Sequence, residues 1–445
     1  MSSAHRPDHR RNDPRSADRA ALRTERPAAH RSSNSAGLRH VLTHLITPLL
    51  MCIGMGLAYL GAFANPAPHH LPVAIVGSGR SSQLLAQSIN DKAHGDLEVR
   101  TVGDRGAAMD QLKHQDIFGA YVMKAKVDAG GATGGATGDA RDSGPELLVA
   151  TAGSDTSASV VQKIFTPLAA QQGAPLKVTD VAPTAKDDPT GQGIFFLLVA
   201  ISIGSYASVA VIGGAGAVLP LRLRAALAVG TSFVVGLIGT AFAGPVFHLV
   251  DHGLWGVWGM GWLYSAGILL IGTGLHTFLK RWTTLGVMAL FVMLNFTSSG
   301  GIFRPEMQNG FFAALHSFWN GAGFVEGTRS QVYFADHGLA GHIWTLAGWL
   351  VVGLLMVGVA GLAERKRRTD EATSAANAAA VAAAAVAATV PERAARQETE
   401  QRRRMEQSGQ TGQTGQTGQT GQTRQSGQME GSAESEEEME EAVGV

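Results

Sequence analysis

Ile194–Gly214 reads IFFLLVAISIGSYASVAVIGG, 21 residues without one Asp, Glu, Lys or Arg. A helix needs about 20 mostly apolar residues, at about 1.5 Å each, to cross the ~30 Å hydrocarbon core of a bilayer. This stretch therefore reads as a membrane span. Five more stretches read the same way: Val41–Ala64, Ala225–Phe247, Val257–Leu279, the shorter Trp282–Ser298, and His342–Ala363. Uncharged runs of this length argue against buried helices of a large soluble protein. The first run is too long and too late in the chain for a signal peptide.

Basic residues sort to one side of these spans. Nine arginines precede the first, Arg222 and Arg224 follow the second, Lys280 and Arg281 follow the fourth, and Arg365-Lys366-Arg367-Arg368 follow the sixth. Cytoplasmic flanks attract Lys and Arg, so six crossings place both termini in the cytoplasm of a plasma membrane. The opposite side has only Arg304 and Arg329 in its longer loop. Trp255, Trp258 and Trp262, then Trp344 and Trp349, mark its headgroup level, and Trp282 marks the inner one.

Charged residues make up 16% of the 445-residue chain, against about 25% in soluble domains, and most sit in the tails and near residues 80–190. Residues 71–184 read as a mixed α/β domain. Leu71–Val76, Leu97–Val102, Gly119–Met123, Leu147–Ala152 and Leu176–Ala182 are strand-like, and Ser81–Ala93, Ala107–His114 and Ser157–Gln172 are helical in pattern. Gly130–Gly144 is a Gly/Thr-rich loop. Gly77-Ser78-Gly79 lacks the third glycine of a dinucleotide loop and reads as a plain strand-to-helix turn.

The organisation expected is a mainly α membrane protein with six transmembrane helices and an α/β extracytoplasmic domain between helices one and two. Residues 1–40 form a disordered basic cytoplasmic head and 41–64 the first span. Residues 65–190 form the extracytoplasmic domain. Residues 191–365 form a five-helix transmembrane domain with a re-entrant-like segment at 303–334, and 366–445 a low-complexity cytoplasmic tail. In that tail an Ala/Val run, Thr373–Thr389, can continue as a helix until Pro391 interrupts it, and five Gly-Gln-Thr triplets, Gly409–Thr423, precede an acidic end.

No catalytic constellation appears: there is no G-x-x-x-x-G-K-[ST] loop, no H-E-x-x-H and no G-x-S-x-G, so the chain reads as no enzyme, without cofactor or metal. The single cysteine, Cys52, lies in an apolar run and reads as a small buried hydrophobe. His248, Asp251 and His252 have metal-ligand spacing only if they share a helix, and interfacial histidines without metal are commoner. The spans carry no Asp, Glu, Lys or Arg inside, which argues against a proton-driven carrier. They do carry small-residue faces, Gly54-Ala58-Ala62 and Gly236-Thr240-Gly244, suited to close helix approach within the chain.

The loop before the last span is the most unusual stretch. Ser298-Ser299-Gly300-Gly301 is followed by Pro305, by an apolar run Phe311–Val325 too short to span, and by Arg329, Tyr333 and Phe334. An interfacial or re-entrant helix is expected there. The layout over residues 41–365, and the Ser/Gly stretch, proline, Phe311-Phe312 pair, Arg329 and Tyr333-Phe334, resemble the membrane subunits of type-2 ABC exporters. The branch most similar includes the phage infection protein (YhgE/Pip) and a fungal nitrosoguanidine-resistance membrane family. The chain departs from that pattern at Trp319-Asn320, where the family often has a proline, and in the short loop Ala215–Arg224, where an ATPase-docking helix is usual.

The resemblance implies a permease subunit that exports hydrophobic or envelope-related substrates with a separate ATP-binding subunit, in a homodimer or heterodimer. Pro305, Phe311, Phe312, Arg329 and Tyr333 are then candidate gate residues or interfacial anchors. The alternative is a non-transporting envelope protein whose outer domain binds a partner or serves as a phage receptor. Either way the partner is the lipid bilayer, and no nucleic acid is expected.

Overall fold

The computed structural model describes residues 26–123 and 144–410. Residues 124–143, with nearly all of the expected Gly/Thr-rich loop, lie outside the described residues, as do residues 1–25 and everything beyond 410, which takes in the acidic end and most of the Gly-Gln-Thr triplets.

Helix α1 runs over Arg26–Phe63 and leads into the α/β domain. Among the described residues its strands are β1 (Leu71–Val76), β2 (Leu97–Val102), β3 (Ala120–Val122), β4 (Glu146–Val149) and β5 (Lys177–Asp180). They form one sheet in the order β2-β1-β3-β4-β5, parallel except where β4 meets β3. Helices α2 (Arg80–Ala93) and α4 (Asp155–Gln171) cover one face, where Ile75, Tyr121, Leu147 and Phe165 are buried. Helix α3 (Arg105–Lys113) covers the other, over Ala74, Ala120 and Leu148. Alternate strand residues point to opposite faces, so one short strand feeds both cores.

The rest is helical: α5 (Gly193–Gly214), α6 (Leu221–Ala241), α7 (Leu254–Leu279), α8 (Thr283–Met288), α9 (Leu294–Ser298), α10 (Gly310–His316), α11 (Asn320–Tyr333) and α12 (Leu339–Gln410). Among the described residues, five stretches are long and apolar enough to cross a membrane: Leu45–Phe63, Gly193–Val218, Leu221–Val246, Leu254–Ser298 and Leu339–Ala387. The protein is thus a multi-pass membrane protein by the length and composition of its helices.

The fourth stretch has 45 residues, about twice what one crossing needs. It breaks at Lys280–Trp282, where Lys280 takes φ 49° and ψ −113°. Gly286 then lies against Leu275 and Leu279, and Asn295 reaches Tyr264, so α8–α9 runs back along α7 as an antiparallel hairpin.

Neighbouring contacts set the other directions. Gly239 lies on Ile201 and Gly204 on Val235, which makes α5 and α6 antiparallel. Gly236 meets the Trp262 backbone and Gly244 meets Leu254, which makes α6 and α7 antiparallel. Gly267 faces Trp349 and Gly274 faces Met356, which makes α7 and α12 parallel. The small-residue faces therefore seat helices of the same chain: Gly54 meets Met293, and Ala58 and Ala62 are buried.

Three expectations need correction. Residues 26–40 of the head are helical rather than disordered, because extending an established helix costs little once its nucleus exists. Residues 366–410 of the tail are helical too, as the Thr373–Thr389 run allowed, but the helix is not interrupted at Pro391 and runs through it. The Ala, Glu, Gln and Arg flanks are strong helix formers and offset the ~3 kcal/mol that proline costs. Past Arg367 that stretch forms a unit of its own, and its Thr373–Thr389 run is exposed wherever its side chains are described. Finally, Cys52 is exposed on α1, since that helix contacts the bundle only through the face carrying Met51, Met55 and Tyr59.

Candidate functional site

Between α9 and α12 the chain dips into the bundle and returns. Asn309 Nδ2 donates to the Gly61 carbonyl at the end of α1, at 2.9 Å. Asn309 also caps α10, its side chain accepting from the Phe311 and Phe312 amides. Helix α10 then descends. His316 Nδ1 sits 2.9 Å from the Ser298 carbonyl, which can only accept, so that ring nitrogen carries the proton. Trp319 Nε1 donates to the Leu290 carbonyl at 3.2 Å. Leu290 lies in a π-helical turn, Ala289–Met293, where the usual helical pairing is broken. It precedes Ser298 by eight residues, so the tip sits about 12 Å below the end of α9. Helix α11 climbs back, from Gly321 beside Asn295 to Tyr333, whose hydroxyl accepts from the Ala185 amide of the α/β domain at 3.3 Å.

The tip rests on a cluster of uncharged polar groups drawn from four helical stretches. Ser202 Oγ lies 2.6 Å from the Tyr264 hydroxyl, Asn295 Nδ2 donates to that hydroxyl, and Ser205 pairs with Ser265 at 2.7 Å. Asn295 Oδ1 accepts from the Gly321 amide at 2.7 Å, satisfying one of the free donors at the start of α11. Asn320 Nδ2 donates to the Tyr264 carbonyl. All of these side chains are buried. Polar groups between apolar helices hold them at a defined register.

Above the tip, a buried charge network closes the hairpin. Glu326 on α11 pairs with Arg304 at 2.5 Å and with Arg329 at 2.9 Å. Arg329 also donates to the Gly300 and Gly301 carbonyls. Arg304 lies over the Phe118 ring of the α/β domain, 5.3 Å from its centre, and 4.0 Å from the more exposed Glu306. Two guanidiniums thus meet two carboxylates, as burying charge requires. Burial pushes the Glu326 carboxyl up, but Arg304 and Arg329 outweigh it and hold the group down at about 2. Burial, helped by Arg304, lowers the His316 imidazole below its usual range, although Glu326 pulls the other way.

This network explains the Ser/Gly stretch. Gly300 has φ 74°, and a Cβ there would come within 2.6 Å of His316 and 2.9 Å of Glu326. A Cβ on Gly301 would come within 2.3 Å of Phe195. Neither position has room for a side chain, and Gly300 also needs the left-handed backbone that glycine tolerates.

The expected site residues fall around this hairpin. Pro305 opens a 3₁₀ turn, Pro305–Met307, and the next residue's carbonyl accepts from the His69 amide at 2.7 Å. Phe312 is buried against Gly61, while Phe311, in edge contact with it, is 60% exposed. Arg329 is 3% exposed and points into the charge network, and Tyr333 points to the α/β domain, where Phe334 packs on Ala152 and Ala182. Sequence reasoning missed Glu326, His316, Tyr264 and Asn295. Only the Glu326/Arg329 spacing, i and i+3 on a helix, offered a signal.

His248, Asp251 and His252 do not share a helix, which ends in a π turn at Val246. Among the described residues no three His, Cys, Asp or Glu side chains converge as metal ligands. The arrangement therefore offers a closed, internally neutral plug over a polar seam. Comparison with known protein families, characterised proteins and solved structures finds no match to this chain.

Proposed function

We propose that the chain is the membrane subunit of an ABC-type export system that moves hydrophobic or envelope-related substrates with a separate ATP-binding subunit. Six helical stretches cross the plasma membrane, α1, α5, α6, α7, α8–α9 and α12. Both termini are cytoplasmic and the α/β domain is outside. The alternating directions of these stretches support an even number of crossings, and the basic flanks Arg222, Lys280-Arg281 and Arg365–Arg368 fall at the end remote from the α/β domain.

The observation that carries the transport role is the re-entrant hairpin α10–α11. Its tip rests on the polar cluster of Ser202, Tyr264 and Asn295, and its upper part is locked to the α/β domain through Arg304. Non-spanning backbone at membrane depth is tolerated where it is buried in protein or lines a path. Here the hairpin is the outer gate, and Phe312, Arg329 and Tyr333 hold it shut. The test is affinity purification from the native membrane together with a hydrophobic-dye efflux assay. Recovery of an ATP-binding subunit, and dye retention on deletion, are expected. No such subunit and unchanged efflux would overturn the proposal.

One observation favours a second reading. The loop between α5 and α6 holds only a four-residue 3₁₀ turn, Ala215–Val218, with no helix for an ATPase to grip. A non-transporting envelope protein whose α/β domain binds a partner fits that loop equally well. Pull-down with the full-length protein in nanodiscs separates the two by whether an ATP-binding subunit or an envelope partner is retained.

A further inference from the structure

Two helices, α2 and α4, share the face of a five-stranded sheet, and the space between them is not filled. It forms a groove of about 360 Å³ floored by Leu85, Ile89, Phe165 and Leu168. That volume lies near the lower end of the roughly 300–1,000 Å³ typical of small-molecule sites, which suits one acyl chain rather than two. The rim carries one cation, Lys92, and one anion, Asp96. Lys92 makes no ion pair among the described residues. At one end the lip is Pro68, five residues past Phe63, the last residue of α1. The groove lip at Pro68 therefore lies within about 18 Å of the end of the first membrane helix.

We infer that the α/β domain binds a single-chain zwitterionic amphiphile, a lysophospholipid taken from the adjacent leaflet, in this groove. An apolar floor takes the chain. Lys92 faces the phosphate and Asp96 the ammonium, so each rim charge meets its opposite, whereas a purely anionic or purely cationic head would face one repulsive contact. Pro68 sets the mouth beside the leaflet, which makes the bilayer the source. The inference goes beyond the export proposal and needs no ATPase.

The test uses the full chain in phosphatidylcholine nanodiscs. The native cysteine is removed as Cys52→Ala, and an environment-sensitive fluorophore is attached through Ser88→Cys on the groove rim or, as control, Gln83→Cys on the same helix. Lauroyl lysophosphatidylethanolamine is the probe. A saturable blue shift is expected from the Ser88 site and none from the Gln83 site. Lys92→Glu weakens the binding about tenfold, equivalent to ~1.4 kcal/mol. Gln171→Trp, an exposed-rim change that leaves the core alone, blocks it. Brominated lysolipid preloaded into the disc quenches the Ser88 label without further addition. The inference is overturned by an absent or non-saturable shift, by equal responses at both sites, by an equal response to dodecyl maltoside, or by indifference to both variants. Quenching that needs lysolipid added from water overturns the leaflet as source.

Discussion

At the end of the bundle that carries the α/β domain, Glu326 lies between Arg304 and Arg329, with all three side chains under 10% exposed. At the far end Arg224 on α6 pairs with Glu364 on α12, and there the carboxylate is 21% exposed. The first arrangement ties together the Gly300–Arg304 loop, α11 and, through Phe118, the α/β domain. The second ties one helix to another beside water. A buried pair recovers its desolvation cost only when geometry and hydrogen bonds are complete, and breaking one leaves a stranded charge. The domain end is therefore built to be shut or broken, while the far end is built to give.

Glu326→Gln is the sharpest way to test that contrast. It leaves Arg329 without a carboxylate and Arg304 with only the more distant Glu306, and should destabilise the protein by about 3–5 kcal/mol in detergent unfolding. A change below about 1 kcal/mol would show that water already reaches the network. Glu364→Gln, measured the same way, should cost less, about 2 kcal/mol, because solvent at that end softens the loss. Equal costs would erase the distinction between the ends. Asn295→Ala removes its hydrogen bond to the Tyr264 hydroxyl and the one it accepts from the Gly321 amide at the hairpin tip, and should cost about 1 kcal/mol, typical of hydrogen bonds between membrane helices. Because the tip is then less anchored, cysteine-reactive probes should reach Ser317→Cys faster in that variant. Unchanged labelling would place the lock entirely in the charge network.

How much of this was legible beforehand follows from what each pattern depends on. Leu71–Val76 and Leu97–Val102 were readable as strands because their apolar residues are local and bounded by turn residues. The reversal inside Leu254–Ser298 was readable because Lys280 and Arg281 interrupt an apolar run. The polar cluster was not, since Ser202, Tyr264, Asn295 and Asn320 come from separate helical stretches and no spacing links them. Arg304 and Arg329 misled for a physical reason: an arginine in a connecting loop is usually solvated, and only tertiary structure reveals the carboxylate that permits burial. Phe311 and Phe312 look alike in sequence, yet one is outward and the other buried, because the capped first turn of α10 decides which ring faces Gly61.

The smallest expected effect concerns pH and separates two titrating groups at the domain end. The folded value of His316 lies below its unfolded value of about 6.5, so its neutral form is the one the fold favours. That contribution is complete above about pH 6.5 and is lost as pH falls toward the folded value. The folded value of Glu326 is about 2, against an unfolded value of 4.5, so its contribution is complete above about pH 4.5 and is lost only as pH falls toward 2. Between pH 7.5 and 5.5 only the histidine of this pair should move stability, and it should lower the unfolding midpoint as acid is added. His316→Gln keeps a donor for the Ser298 carbonyl and removes the titration, so its midpoint should fall less steeply over that window than the parent's. Parallel pH profiles for the two proteins would show that the imidazole is open to water in the folded state, and that the plug at the domain end is looser than its ion pairs imply.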